Sequence, residues 1–422
     1  MKRDIPVLLL TGYLGSGKTT LLNRILSNER GIRFAVIVND IGEVNIDASL
    51  IQKGGIVGGK DSGDLVALQN GCICCTLKMD LIEQLSEIVA TQKFDYIVIE
   101  ASGICEPAPI AQTICSIPSL EAKFNSHGVP TLDCIVTVVD ALRMQSEFAC
   151  GDDLTKKDLG EEDIENLIIE QIEFCNIILL NKISEVTPDE AGRIRAIIRA
   201  IQPKARIIEC DYCDVDLADL LNTGLFDFED VATSAAWVHE IEKAPTDEEE
   251  AQARGHHEHH HHEHEHEHHH EHEHHEHHHH HEHEECHCCH HHHHHDEGEA
   301  EEYGIQTFVY YRRKGFDINK FDFFINRHWP SNVIRAKGVI YFKHNPDMSY
   351  LFEQAGVQKK LTEAGFWFAS APEEELVQFM QNEPGLARDW DPEYGDRMIK
   401  LVFIGQHLDR EAITAHLDAC LA

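Results

Sequence analysis

The residues that most restrict what this chain can fold into are Leu10-Thr11-Gly12-Tyr13-Leu14-Gly15-Ser16-Gly17-Lys18-Thr19-Thr20. An apolar run from Ile5 to Leu10 reads as a strand, and Leu21-Leu22-Asn23-Arg24-Ile25-Leu26 reads as a helix. Between them Gly12 to Thr19 spell G-x-x-x-x-G-K-T, in the strand–loop–helix setting a phosphate-binding loop needs. Gly12, Gly15 and Gly17 let backbone N–H groups curve round phosphate oxygens, and the helix start adds its positive dipole end. Lys18 is expected to reach the β- and γ-phosphates, and the Thr19 hydroxyl to ligate Mg²⁺. Ser16 and Thr20 complete the candidate nucleotide-binding set. The bland alternative, a glycine turn capping an ordinary helix, does not ask for a lysine and a hydroxyl at these two places.

The first 230 or so residues alternate strand-like and helical runs. Strands are expected at Phe34–Val38, Tyr96–Glu100, Cys134–Val139, Ile177–Leu180 and Arg206–Cys210, with helices at Met79–Ala90, Asp163–Phe174 and Asp189–Ile201. That alternation predicts an α/β fold, a mainly parallel sheet covered on both faces, with ligands at the carboxyl ends of its strands. We assign residues 1–228 to this nucleotide-binding unit.

Composition then changes abruptly. The formal charge of the whole chain is −38, and residues 240–302 hold 21 Asp or Glu against Lys243 and Arg254, half of that excess. Within it, residues 256–295 contain 27 His, 10 Glu, 3 Cys and nothing else. A segment without apolar side chains cannot offset its ordering entropy, so 256–295 is expected to be disordered when free of metal, within an acidic, His-rich metal-binding linker over 229–302. A small α+β unit is expected over 303–422. Its strands would be Thr307–Tyr311, Val339–Phe342 and Leu401–Ile404, and its helices Ile318–Asn326 and Arg410–Leu421.

These numbers also exclude. Surplus acid argues against nucleic acid as a partner, since phosphate backbones are bound by surplus Lys and Arg. No stretch of about twenty apolar residues offers a membrane span, and the first apolar run feeds the phosphate loop rather than a cleavage site. Fourteen cysteines in a chain of 422 residues point to a reducing cytoplasm, where clustered thiols serve metal or redox chemistry.

Three further segments belong with the phosphate loop. Ile97-Val98-Ile99-Glu100-Ala101-Ser102-Gly103 ends a strand on an acid. Glu100 is placed to join the Mg²⁺ shell or orient the attacking water, and the Gly103 amide to meet the γ-phosphate. Asn39-Asp40-Ile41-Gly42-Glu43 opens a glycine-rich, acidic stretch running to Gly63 that reads as a switch, with Asp40 a further candidate near Mg²⁺. Asn181-Lys182-Ile183-Ser184 follows another strand. In GTPases that sequence is N-K-x-D, whose Asp accepts hydrogen bonds from guanine N1 and the exocyclic amine. Ser184 here offers no charged bidentate contact.

Cys72-Ile73-Cys74-Cys75 is a soft-ligand cluster suited to Zn²⁺ or a similar ion. Three sulfurs leave one coordination position open, which suits a site that hands metal on. A redox pair or core thiols are the other readings, although Cys105, Cys115, Cys134, Cys150 and Cys175 are better candidates for the core. The His/Glu tract, including His256, His257, Cys286, His287, Cys288, Cys289 and His290, is expected to give weak, exchangeable sites. At three or four imidazoles per ion it has capacity for roughly seven to nine ions.

Together these residues resemble the CobW-like P-loop GTPases, relatives of the hydrogenase and urease nickel-insertion GTPases. The resemblance is carried by Thr11–Thr20, Glu100-Ala101-Ser102-Gly103, Cys72, Cys74 and Cys75 as C-x-C-C, and Asn181-Lys182. Gly395-Asp396-Arg397, Leu401-Val402-Phe403-Ile404-Gly405 and the Leu417–Leu421 tail resemble that family's C-terminal domain. It implies GTP, Mg²⁺ and a divalent cargo, zinc most commonly and Co²⁺ or Ni²⁺ in some members, delivered to a client metalloprotein. Two departures stand out: Ser184 replaces the guanine-reading Asp, and Val38 stands where some relatives place a metal-binding Glu. A metal buffer with a regulatory nucleotide domain and an ATP-using P-loop kinase are the competing readings.

Overall fold

The computed structural model describes residues 4–27, 31–38, 78–147, 162–238, 253, 303–356, 358–372, 375–376, 379–380, 386 and 390–422. Six strands form the first sheet: β1 (Ile5–Thr11), β2 (Phe34–Val38), β3 (Tyr96–Glu100), β4 (Pro130–Asp140), β5 (Ile177–Asn181) and β6 (Arg206–Cys210). Their order is β2-β3-β1-β4-β5-β6 and every pairing is parallel. The strands alternate with helices α1 (Lys18–Leu26), α2 (Lys78–Thr91), α3 (Pro107–Ser116), α4 (Ala141–Glu147), α5 (Glu162–Glu173) and α6 (Pro188–Ile201).

The near-continuous apolar runs are explained by burial on both faces. Val7, Leu9, Ile97, Ile99 and Ile178 point to one side, against Leu85, Ile110, Ile169 and Ile194 of the helices. Leu8, Leu10, Val98, Val136 and Leu179 point to the other, against Leu21, Leu22, Ile25 and Leu220. Helix α3, whose first turn carries Pro107 and Pro109, was not among the expected helices. Proline is tolerated in a first helical turn, and that is where it sits.

The second sheet is antiparallel. Strands β7 (Ile305–Arg312), β8 (Val333–Phe342), β9 (Asn345–Ala355), β10 (Gln358–Phe366) and β11 (Ile399–Gln406) lie in the order β10-β9-β8-β11-β7. One face carries Phe308, Tyr310, Ile340, Phe342, Leu401 and Phe403, packed on Phe321 and Phe324 of α7 (Ile318–Arg327) and Ile413 and Leu417 of α8 (Arg410–Ala419). Asp317 and Asp409 cap those helices, accepting from Lys320 N and Ala412 N. The expected α+β unit is present, with two strands, β9 and β10, that the sequence reading lacked.

The two units meet across α5 and α6. Ile305, Ile334 and Ala355 join the apolar cluster of the first unit, and the Tyr303 ring closes over Gly192. Beside them Arg335, 1% exposed in its side chain, forms a two-pronged ion pair with Glu173 at 2.9 and 3.0 Å. Lys337 bonds Glu353 at 2.6 Å and lies 4.2 Å from the Trp237 ring centre. Among the described residues no helix is long and apolar enough to cross a membrane.

Candidate nucleotide site

The loop between β1 and α1 is bent by glycines. Gly17 has φ +117°, and a Cβ there would come within 2.6 Å of Asn181 Nδ2, so no other residue fits. Gly15, by contrast, faces open space, with nothing within 4 Å of a Cβ. Helix α1 has no side-chain cap and no acid in its first turn. Its first N–H groups and dipole are thus left to an external anion, whereas Thr187, Asp317 and Asp409 cap other helices of the molecule.

Lys18 is buried and its Nζ donates to Tyr13 O at 3.3 Å, which folds the ammonium back over the loop. The Thr19 hydroxyl donates to Glu100 Oε1 at 3.2 Å. Glu100, 2% exposed, ends β3 and is register-paired with Leu10 on one side and Val38 on the other. Gly103 lies against the loop as well: a Cβ would sit 2.8 Å from Leu14 N. Ser16 is buried and Thr20 exposed, and Gly12 packs its open side on the Val138 carbonyl.

Asn181 ties two more loops to this place. Its Nδ2 donates to Ser16 O at 2.7 Å, and its Oδ1 accepts from the Cys213 main-chain N–H at 3.0 Å. Lys182, in the left-handed region at φ 63°, pairs with Asp140 at the end of β4. The Ser184 N–H and hydroxyl both donate to Asp211 Oδ1, at 3.1 and 2.8 Å.

Several participants were not singled out in the sequence. Gln171, 1% exposed, donates from Nε2 to the carbonyls of Gly103 and Cys105, each at 3.2 Å. Nothing in the pattern of α5 distinguishes it from an ordinary helix glutamine. Cys210 and Cys213 did carry a signal, a C-x-x-C after a strand. Their mutual hydrogen bond lowers the Cys210 thiol and raises that of Cys213, which burial raises further. The Cys213 thiol also donates to Gly17 O at 3.4 Å.

Of the thiols expected in the core, Cys105, Cys134 and Cys175 are buried, but Cys115 is exposed, because the last turn of α3 presents it outward. Cys150 lies outside the described residues, as do Asp40, Cys72, Cys74, Cys75 and the tract containing His256, His257, Cys286, His287, Cys288, Cys289 and His290. Among the described residues no group of three or more His, Cys, Asp or Glu is arranged to hold a metal ion.

A loop that offers its ligand main-chain N–H groups and one ammonium, with an acid waiting on the neighbouring strand, defines a P-loop nucleoside triphosphatase. Family models narrow that class. The model described as CobW/HypB/UreG, nucleotide-binding domain, matches residues 6–209, and that of the cobalamin synthesis protein cobW C-terminal domain matches 305–421. A third, Protein IBD2, matches 147–330, a span that runs through the acidic His-rich segment. The zinc-regulated GTPase metalloprotein activator 1 of Dictyostelium discoideum is 32% identical over 433 residues, 99% of this chain and 80% of the relative. The zinc chaperone YjiA of Escherichia coli is 32% identical over 237 residues, 54% of this chain and 65% of the relative. The chain belongs to the CobW/HypB/UreG family of P-loop GTPases. Among solved structures, the Zn(II)-bound YjiA GTPase from E. coli aligns over 100% of both chains at a TM-score of 0.38 and 20% identity.

Proposed function

We propose that this GTPase is a metallochaperone: it binds a divalent ion, zinc, at Cys72, Cys74 and Cys75 and delivers it to a client metalloprotein, driven by GTP hydrolysis. The observation that carries this reading is the register of β2 and β3. Val38, from which the chain leaves towards the cysteine cluster, is paired with Glu100, whose carboxylate meets the Thr19 hydroxyl of the phosphate loop. The strand end that precedes the 39–77 stretch therefore lies beside the nucleotide site. The names of relatives, zinc chaperone and zinc-regulated activator, support the same cargo.

In this reading the Gly12–Thr20 amides and Lys18 bind the triphosphate, with Asn181 and Lys182 beside them. The hydroxyl of Thr19 and the carboxylate of Glu100, 3.2 Å apart, are hard oxygen donors that fit Mg²⁺, with Asp40 a further candidate. Bound there, Mg²⁺ would neutralise charge on the transferring phosphoryl group. Gly103 presents its amide to the γ-phosphate, and Gln171 holds that stretch by two carbonyls. The His/Glu tract of 256–295 serves as a weak reservoir, emptied as imidazoles protonate.

The mechanism requires one switch shared by nucleotide and metal. Moving the thiol site from 1% to 99% occupied takes a differential of about 5.5 kcal/mol between states, and zinc must tighten GTP by the same factor by which GTP tightens zinc. The test is zinc affinity measured in GTP- and GDP-loaded protein. We expect tighter zinc with GTP, and Cys74→Ser to abolish that tight site while multi-ion weak binding persists. Equal affinity in the two nucleotide states would reject the coupling and leave a metal buffer.

A further inference from the structure

The N-K-x-D sequence lacks its Asp in this chain, yet a carboxylate stands beside the vacancy. Asn181 and Cys210 are register partners at the ends of β5 and β6, so the stretches bearing Ser184 and Asp211 leave adjacent strand ends. They are joined directly: the Ser184 N–H and hydroxyl donate to Asp211 Oδ1 at 3.1 and 2.8 Å. Asn181 binds both the phosphate loop and the stretch after β6, through Ser16 O at 2.7 Å and the Cys213 N–H at 3.0 Å. This corner lies at the carboxyl ends of parallel strands, where such sheets take their ligands.

We propose that Asp211, held by Ser184, reads guanine in this protein. The carboxylate missing at Ser184 is thus supplied one hydrogen bond away, by Asp211. A carboxylate only accepts, and its two oxygens offer about four lone-pair sites. Two of these are used on Oδ1 by Ser184, and the two left on Oδ2 can accept the adjacent N1–H and amine of guanine as charge-assisted bonds. Adenine presents a lone pair at N1 and is repelled there. Ser184 positions the acid and does not itself select the base. The assignment rests on nucleotide occupying the phosphate loop, and is independent of any role in metal delivery.

The experiment is competition by unlabelled GTP, ITP, XTP and ATP against radiolabelled GTP on the full-length protein. The unaltered chain is expected to favour GTP over ITP, which lacks the exocyclic amine, by about tenfold, and over XTP and ATP by about a hundredfold or more. Asp211→Asn should reverse the ranking of GTP and XTP, because its amide donates to the xanthine O2. Ser184→Ala should weaken GTP without favouring XTP. An unchanged ranking in D211N, or a reversal produced instead by Glu185→Gln, overturns the proposal. Should D211N fail to fold, equal affinity of the unaltered chain for GTP and ITP overturns it as well. A protein that bound none of the four would sink the nucleotide site itself, an outcome distinct from four that bind without rank.

Discussion

Two places in this molecule bury charge, and they handle it in opposite ways. At the seam between the units, Arg335 and Glu173 neutralise one another in a two-pronged pair from which water is excluded. At the phosphate loop, Lys18 is buried against a main-chain carbonyl and α1 starts without a cap. One cluster is complete within the protein; at the other, the uncapped first turn of α1 leaves N–H groups for an anion to complete. The difference teaches how to read buried charge: what matters is whether the surrounding groups close round it.

The contrast can be broken at the seam first. Arg335→Ala leaves Glu173 buried without its main partner and should destabilise the protein by about 3–5 kcal/mol, read from denaturant unfolding. The double variant R335M/E173L should recover most of that loss, since an apolar pair of similar volume is often no worse. If R335A unfolds like the parent, the seam is not closed in solution.

Lys18→Ala tests the other member. It should lower GTP turnover by about a hundred- to a thousandfold, the scale of losing one preorganised electrostatic group, and change stability little in the absence of nucleotide. A large loss of stability would mean that Lys18 is a structural ion like Arg335.

A third variant sharpens the comparison by pH. Burial, then the nearby Glu106 carboxylate, push Glu170 up to about 7. Its folded value lies above the ordinary one, so its contribution to stability is complete below about pH 4.5 and is lost as pH rises through about 7. Glu170→Gln should therefore flatten the pH dependence and stabilise the protein near pH 8 by about 2 kcal/mol, allowing for partial exposure. An unaltered pH–stability curve would show that the neighbouring cations already hold Glu170 ionised.

The sequence revealed these regions unequally. Strands of the parallel sheet were legible to within a few residues because both faces are buried, leaving uninterrupted runs such as Tyr96–Glu100. Strand β10 was not: Gln358–Phe366 is an edge strand, exposed along most of its length, so no periodic signal survives. The phosphate loop is contiguous and could be read directly. Asp211 could not, because its partner Ser184 lies 27 residues away and only the pairing of β5 with β6 brings them together. Gln171 and Arg335 were silent for the same reason: their partners lie 68 and 162 residues away.

The last turn of α5 holds two attachments two positions apart. Gln171 grips the stretch after Glu100, and Glu173 anchors the C-terminal sheet. Dissection of this protein therefore has a hidden cost. A fragment ending before residue 303 would strip the outer clamp from the helix that steadies Gly103, and its turnover would describe a different enzyme. Lesions far out in the second sheet should surface as kinetic phenotypes, with the pocket itself left untouched.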